Sequence, residues 1–167
     1  AKNHAIVMQD AEMENTVNAL IGAAFGSSGE RCMAISVVVA VGSETADNLI
    51  AGLKSKMNDL KVGNFDNSKN DFGPLITKDH MEKVKGYITS AEAQGADIVV
   101  DGRSVNVKGC ENGFYVGGTL IDCVEASMES YQNEIFGPVL QVVRVETMQQ
   151  AIDLIDEHEY GNGTCIF

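Results

Sequence analysis

The longest apolar run in the chain is Ile35-Ser-Val-Val-Val-Ala-Val41. It is rich in β-branched residues and carries no charge, which favours a strand that is buried on both faces. A helix that crosses a bilayer needs about 20 apolar residues, so this run is too short to span a membrane. We therefore predict that it forms a buried strand, and the rest of the fold is predicted outward from it.

Helical and strand-like patterns alternate on both sides of this run. Four segments have the periodicity or capping residue of an amphipathic helix, namely 13–26, 44–60, 78–94 behind Thr77, and Thr147 to about Glu157. Further strand-like segments are Ala5–Met8, Ile98–Val100, 114–121, 138–145 and Thr164–Phe167. The segment 62–76 is predicted to be loop, and 102–113 a hairpin or excursion. This alternation predicts a layered α/β domain whose mostly parallel central sheet is flanked by helices.

Composition narrows the function classes. The 167 residues suffice for one domain, and 24 acidic against 12 basic side chains give a net charge of −12. Phosphate backbones and anionic lipids repel such a chain, so we expect neither nucleic-acid nor membrane binding. The four cysteines are far apart and form no Cys-x-x-Cys, which predicts free thiols in a reducing, cytoplasmic compartment.

Nucleotide and metal motifs are missing from the sequence. It contains neither Gly-x-Gly-x-x-Gly nor Gly-x-x-x-x-Gly-Lys-Ser/Thr. His4, His80 and His158 are isolated and lack a second ligand at helical spacing, so we expect no metal site. Each histidine is predicted to have a plain surface or packing role.

One segment has the composition of a reactive site: Phe25-Gly-Ser-Ser-Gly-Glu-Arg-Cys-Met33. Its glycines allow a substrate to approach the backbone closely, and a Cys32 thiolate there could attack an electrophilic carbon. Backbone N–H groups could stabilise the resulting oxyanion. Arg31 would favour the thiolate and could bind a substrate carboxylate. Alternatively, Cys32 is a small buried hydrophobic residue.

Four segments in the same order and spacing resemble motifs of the aldehyde dehydrogenase superfamily. Gly22-Ala-Ala-Phe-Gly-Ser-Ser-Gly-Glu-Arg-Cys-Met-Ala34 resembles its catalytic-cysteine segment, and Asn133-Glu-Ile-Phe-Gly-Pro-Val139 is similar to its Glu-x-Phe-Gly-Pro motif. Phe72-Gly-Pro-Leu75 and Tyr160-Gly-Asn-Gly163 match two further landmarks. The resemblance covers essentially the whole chain and implies the layered catalytic domain of that superfamily.

Three short segments resemble one branch, the CoA-acylating methylmalonate-semialdehyde dehydrogenases. They are Lys2-Asn3-His4, Arg31-Cys32-Met33 and Gly161-Asn-Gly-Thr164. The branch resemblance implies a semialdehyde substrate, NAD as the hydride acceptor and CoA as the acyl acceptor, with propanoyl-CoA or acetyl-CoA as product.

Roles for individual residues follow from the same resemblance. Cys32 matches the nucleophile that forms a thiohemiacetal and then a thioester, and its N–H would supply half of the oxyanion hole. Arg31 matches a residue that holds the substrate carboxylate. Glu134 matches the residue that hydrogen-bonds the nicotinamide ribose, and Phe136 the side chain beside the nicotinamide ring. We therefore expect Glu134 and Phe136 to line the same cleft as Cys32.

The resemblance also sets expectations for the domains. Residues 1–167 would be a single thiol-bearing catalytic domain, truncated at both ends, of a homo-oligomeric parent. The cofactor-binding Rossmann domain, the second oxyanion donor and the oligomerisation strand would lie outside it. In hydrolytic relatives a Glu activates the deacylating water. The position of that Glu lies upstream of the position that matches Lys2 and falls before Ala1. We expect this chain alone to form no NADH, while Cys32 is still alkylated.

Three alternatives are also compatible with the sequence. The first is the catalytic domain of a hydrolytic NAD(P)-dependent aldehyde dehydrogenase. The second is a thiol acyltransferase or hydrolase, which would need a histidine base near Cys32. The third is a non-enzymatic α/β binding module with Cys32 in its core, in which the thiol would be inert.

Overall fold

A computed structural model describes all residues, 1–167. In chain order its elements are β1 (Asn3–Val7), α1 (Met13–Phe25), a 3₁₀ turn (Gly26–Gly29), β2 (Ile35–Val41), α2 (Ser43–Met57), α3 (Lys78–Ala93), β3 (Asp97–Val100), β4 (Thr119–Asp122), α4 (Glu129–Gln132), β5 (Val139–Val145), α5 (Met148–Asp156) and β6 (Thr164–Ile166). None of these helices combines the length and the apolar character that a membrane crossing requires.

The six strands form one sheet in the order β3-β4-β5-β2-β1-β6. Strand β2 runs parallel to both of its neighbours, so that Val38 is paired with Ala5 on one side and Val142 on the other. Strands β4 and β6 are also parallel to their inner neighbours, and only β3 is antiparallel. The predicted mostly parallel sheet, with Ile35–Val41 in its interior, is confirmed.

The sheet separates two apolar cores. Val37, Val39 and Val41 of β2 belong to one cluster of 18 buried residues, together with apolar residues of α3 and α5. Val38 and Ala40 point to the other face, into a cluster of 16 that includes residues of α1 and α2. Because successive side chains of a strand alternate between faces, both faces of β2 need apolar residues. Helices therefore cover the sheet on both sides, as a layered α/β fold requires.

Two predicted helix starts are confirmed by their caps. The Thr77 hydroxyl oxygen accepts the N–H of His80 at 3.1 Å at the start of α3. At the start of α5, Thr147 and Gln150 form a reciprocal capping box. All four cysteines are free thiols, as predicted.

The region before β4 differs from the sequence prediction. The segment 114–121 was predicted to be a strand throughout, but the strand covers only Thr119–Asp122. Gly117 instead packs against the backbone of Gly102, where an added Cβ would lie 2.0 Å from the Gly117 oxygen. The segment 102–113, predicted to be a hairpin or excursion, is a series of turns without a strand. Helix α2 also ends earlier than predicted, at Met57.

Candidate active site

Cys32 lies in a turn at the amino end of the central strand β2. The chain leaves α1, passes through the 3₁₀ turn Gly26–Gly29 and reaches Cys32 three residues before β2 begins. The predicted helix 13–26 and the predicted strand Ile35–Val41 place Cys32 in this interval. The Cys32 side chain is exposed, so the alternative that it is buried in the core is wrong.

The backbone before Cys32 is strained. Ser27 and Ser28 have φ of 54° and 58°, and Gly29 follows with φ of 70°. Three consecutive residues in the left-handed region are costly for side chains with a Cβ, and such strain is concentrated at functional sites. At Gly29 a side chain is also excluded sterically, because its Cβ would lie 2.1 Å from the Gly137 oxygen.

All three other landmark segments contact this loop. Gly29 packs against Gly137 of the Glu-x-Phe-Gly-Pro segment. The Ser28 hydroxyl donates to the carbonyl of Gly73 at 2.7 Å. Asn162 Nδ2 donates to the carbonyl of Cys32, also at 2.7 Å. The four motifs that are separated in sequence are thus brought together around one thiol-bearing loop.

The start of β1 holds two loops at once. Asn3 Nδ2 donates to the carbonyls of Cys32 at 2.8 Å and Ala34 at 2.9 Å. The neighbouring Lys2 Nζ donates to the carbonyls of Ser130 at 2.6 Å and Asn133 at 2.8 Å. Burial lowers the pKa of Lys2 to about 7, although the negative charge of the nearby Glu134 carboxylate acts to raise it. Adjacent residues of one strand therefore fix the Cys32 loop and the loop that leads to Glu134.

Glu134 presents a half-exposed carboxylate beside this strand end. Its Oε1 lies 2.6 Å from the Ala1 nitrogen, two residues before Asn3. Glu134 is thus at the same end of β1 as the Cys32 loop.

Phe136 and the Cys32 loop share an open cleft of about 560 Å³. The cleft is lined by Ser27, Glu30, Ile76, His80 and Phe136, whereas Cys32 and Glu134, which were expected in the same cleft, are not among its lining residues. Phe136 has a φ of 57°, and 37% of its surface is exposed. An exposed aromatic ring and a carboxylate on the same loop suit a ligand that carries a flat ring and ribose hydroxyls.

Two further cleft residues, His80 and Glu30, were not predicted as site residues. His80 Nε2–H donates to the carbonyl of Phe136 at 2.6 Å and lies 3.7 Å from Glu30 Oε1. Burial raises the pKa of Glu30, although the Ile76 N–H and His80 oppose this. His80 is 56 residues from Phe136 in sequence, so no local pattern could have revealed the contact.

Arg31 contacts the end of α1. Its Nη2 donates to the carbonyls of Gly22 at 2.9 Å and Ala23 at 3.0 Å. The guanidinium lies across Gly26, where an added Cβ would be 3.0 Å from Nη2. Arg31 therefore caps the last carbonyls of the helix while its side chain stays exposed next to Cys32. Its role toward a substrate carboxylate stays a prediction.

Comparison with known proteins gives matches over the whole chain. The profile of the aldehyde dehydrogenase family matches residues 1–167. The malonate-semialdehyde dehydrogenase of Pseudomonas aeruginosa is 57% identical over 167 residues. The acylating, mitochondrial methylmalonate-semialdehyde/malonate-semialdehyde dehydrogenase of Rattus norvegicus is 48% identical over the same length. The chain covers 34% of the first protein and 31% of the second, about a third of these curated relatives.

Solved structures share the fold. The crystal structure of methylmalonate-semialdehyde dehydrogenase from Oceanimonas doudoroffii matches with a TM-score of 0.99 at 69% identity, covering 100% of this chain and 34% of that one. A Sinorhizobium meliloti protein crystallised with NAD matches with a TM-score of 0.98 at 49% identity, with the same coverage.

Proposed function

The chain belongs to the aldehyde dehydrogenase family, and from this premise we propose that residues 1–167 form the thiol-bearing catalytic domain of a semialdehyde dehydrogenase. We propose further that the enzyme is NAD-dependent and CoA-acylating, and that it acts on malonate or methylmalonate semialdehyde. The observation that carries the proposal is the meeting of all four family segments around the exposed Cys32. The relatives named above, which are (methyl)malonate-semialdehyde dehydrogenases, support the substrate class.

In the proposed reaction Cys32 is the nucleophile. Its thiolate adds to the aldehyde carbon, forming a C–S bond and an oxyanion that the Cys32 N–H stabilises. Arg31 would bind the carboxylate at the other end of the substrate. Its Nη2 is engaged on α1, so a substrate would meet the remaining N–H groups of the guanidinium.

The exposed ring of Phe136 and the carboxylate of Glu134 fit a nicotinamide and its ribose. The chemistry that NAD supplies when bound there is acceptance of the hydride from the aldehyde carbon. Phe136 would present a flat apolar surface, and Glu134 would accept hydrogen bonds from ribose hydroxyls. A relative crystallised with NAD supports the cofactor.

Deacylation would transfer the acyl group from Cys32 to CoA. The CoA sulfur forms the new thioester bond, and the Cys32 thiolate leaves. Loss of the substrate carboxylate as CO₂ breaks its bond to the α-carbon, which keeps the electron pair and takes up a proton from solvent. This accounts for acetyl-CoA from malonate semialdehyde and propanoyl-CoA from methylmalonate semialdehyde. The word "acylating" in the name of the rat relative supports CoA over water as acceptor.

A chimera tests the proposal directly. Residues 1–167 replace the matching third of the Pseudomonas aeruginosa enzyme, and NADH formation from malonate semialdehyde is followed by absorbance. We expect NADH only when the aldehyde and NAD are present, and acetyl-CoA as product when CoA is added. Cys32→Ser should abolish NADH formation, whereas Cys123→Ser, which changes another exposed thiol, should not.

The outcomes separate the alternatives. Rapid turnover to a free acid in the absence of CoA would favour the hydrolytic enzyme. An active Cys32→Ser chimera would refute Cys32 as nucleophile. A hydrolase that uses a histidine base is less well supported, because the Nε2 of His80 is already bound to the Phe136 carbonyl.

A further inference from the structure

At Cys32 and its two neighbours the loop has no buried side chain of its own and is held through its backbone. Arg31, Cys32 and Met33 are all exposed, so no apolar side chain fixes the thiol from within the loop. Exposed loops without such anchors are the most mobile parts of a fold. A nucleophile needs a fixed direction toward its target, since a displacement of about 1 Å can cost a hundredfold in rate. The contacts of the Cys32 backbone therefore decide how well it is placed.

Two amide groups converge on the Cys32 carbonyl oxygen. Asn3 Nδ2 donates to it at 2.8 Å from β1, and Asn162 Nδ2 at 2.7 Å from the turn before β6. A carbonyl oxygen has two lone pairs, and both are used here. The orientation of the amides is dictated by chemistry, because an amide oxygen turned toward the carbonyl would repel it. The same Asn3 nitrogen also binds the Ala34 carbonyl at 2.9 Å.

Each asparagine makes its contact with the Cys32 carbonyl at a cost to the stability of the fold. Asn3 is buried, and its Oδ1 has no hydrogen-bond partner. Asn162 has a φ of 123°, in a region that residues with a Cβ rarely adopt. An unpaired buried acceptor and a strained backbone both reduce stability. Two such costs at one carbonyl indicate that the arrangement serves the Cys32 loop rather than the stability of the fold.

We propose that Asn3 and Asn162 are positioning residues that clamp the Cys32 peptide and thereby orient its thiol. The inference rests on the proposed role of Cys32 as nucleophile. The three segments that resemble the methylmalonate-semialdehyde dehydrogenase branch thus meet at one oxygen atom, the carbonyl oxygen of Cys32. They are Lys2-Asn3-His4, Arg31-Cys32-Met33 and Gly161-Asn-Gly-Thr164.

The clamp acts on the thiol in two ways. It fixes the peptide plane that follows Cys32, and with it the direction of the Cα–Cβ bond. It also places the positive ends of amide N–H groups near the sulfur. Four covalent bonds separate the sulfur from its own carbonyl oxygen, so the Asn162 nitrogen lies within about 8 Å of it. A negative charge introduced at position 162 would therefore disfavour formation of the thiolate.

The test is the pH dependence of Cys32 alkylation in the 167-residue chain. Iodoacetamide labelling is followed between pH 6 and 10, with each cysteine quantified by peptide mass. In Asn162→Asp an isosteric carboxylate replaces the amide donor and faces the carbonyl. We expect the pH midpoint of Cys32 labelling to rise by about 0.5–1 unit, and the rate at pH 7.5 to fall about three- to tenfold.

Asn48→Asp is the matched control. It adds the same charge at an exposed position near the start of α2, which follows the carboxyl end of β2, whereas Cys32 precedes the amino end of that strand. The charged groups around the Cys32 loop, Glu30, Arg31 and His80, are unchanged in both variants. We expect the control to leave the Cys32 midpoint where it is in the wild type.

Asn162→Gly removes the amide without adding charge. Because glycine accepts a φ of 123° without strain, the thermal midpoint should stay unchanged or rise. Hydrogen exchange of the Ala34 amide, which donates to the Arg31 carbonyl at 3.1 Å, should nevertheless become faster. Identical labelling profiles in the wild type and Asn162→Asp, or unchanged exchange in Asn162→Gly, would overturn the clamp. Neither measurement uses NAD or CoA, so an inactive chimera would refute the proposed function and leave this result standing.

Discussion

At the scale of single residues, His4 shows how burial sets a charge state. Its Nδ1–H donates to the Lys2 carbonyl at 2.8 Å, and its Nε2 accepts the Tyr131 hydroxyl at 3.1 Å. Burial, and next the proximity of His158, lower the pKa of His4 to about 4, although the Lys2 carbonyl opposes this. His4 is therefore a neutral hydrogen-bonding residue at pH 7, in the packing role predicted from the sequence.

The His4 environment predicts acid sensitivity. Between pH 6.5 and 4 the unfolded chain binds a proton at His4 that the native state does not bind. The free energy of unfolding should therefore fall as the pH decreases through this window, by about 3 kcal/mol in total. Urea unfolding at pH 7 and pH 4.5 measures the free energy of unfolding of the wild type and of His4→Gln. In the variant the decrease between these two pH values should be smaller, because the contribution of His4 is absent. His80→Gln serves as control, and equal pH dependence in His4→Gln and the wild type would contradict the assignment.

The two exposed cysteines should differ in reactivity. Burial of the sulfur, together with the Asp122 carboxylate, raises the pKa of Cys123. Since the thiolate is the reactive form, we expect iodoacetamide at pH 8 to label Cys32 several-fold faster than Cys123 in the native chain. In urea the two rates should converge, which separates folding from intrinsic reactivity. Faster native labelling of Cys123 would count against an accessible, reactive Cys32.

At the scale of elements, the packing of the 3₁₀ turn Gly26–Gly29 against the loop that carries Phe136 requires glycine. Gly29 adopts a φ of 70°, and its Cα approaches the Gly137 oxygen too closely for any side chain. The glycines after α1 predicted a turn here, but its 3₁₀ geometry and its contact with Gly137 depend on residues that are distant in sequence. Likewise α4 has four residues, too few to show a helical period. Longer elements were predictable, such as α3 from its single apolar face and β5 from its run of apolar residues.

Gly29→Ala should destabilise the chain by about 2–3 kcal/mol. The new Cβ cannot be accommodated without displacing the backbone of Gly137, and the positive φ adds strain. Gly86→Ala is the matched control, because Gly86 lies in α3 with open space around it. That change should stabilise by about 0.5–1 kcal/mol through its helix propensity. Urea midpoints of both variants measure the contrast, and equal effects would show that the contact is not tight.

At the scale of the whole molecule, one strand end links distant parts of the chain. Lys2 reaches carbonyls 128 and 131 residues away, and Asn162 reaches the Cys32 carbonyl across 130 residues. Sequence patterns predicted the strands and the motif segments, but not these contacts. Lys2 carries no local signal of burial, because its burial depends on which loops the folded sheet brings over it.

The lowered pKa of the buried Lys2 predicts that the free energy of unfolding rises at alkaline pH. Its pKa is lowered to about 7 in the native state from 10.5, so between these values the unfolded chain holds a proton that the native chain has released. The free energy of unfolding contributed by this group should therefore increase from pH 7 to pH 10.5, by at most about 4–5 kcal/mol, with no slope below pH 7. Urea unfolding at pH 7 and 9.5 under reducing conditions should show this rise in the wild type and not in Lys2→Met. Lys54→Met, an exposed control on α2, should retain it.

The contact between Asn162 and Cys32 also sets an order of events during synthesis. The ribosome makes Cys32 long before it makes the amide that completes the clamp, with 130 residues between them. At roughly 5–20 residues per second, the newly made thiol waits roughly 7–26 s for that partner. During this interval Cys32 lies in a loop that still lacks its hydrogen bond from Asn162. Oxidants and electrophiles in the cell can therefore reach the thiol before the fold controls its orientation.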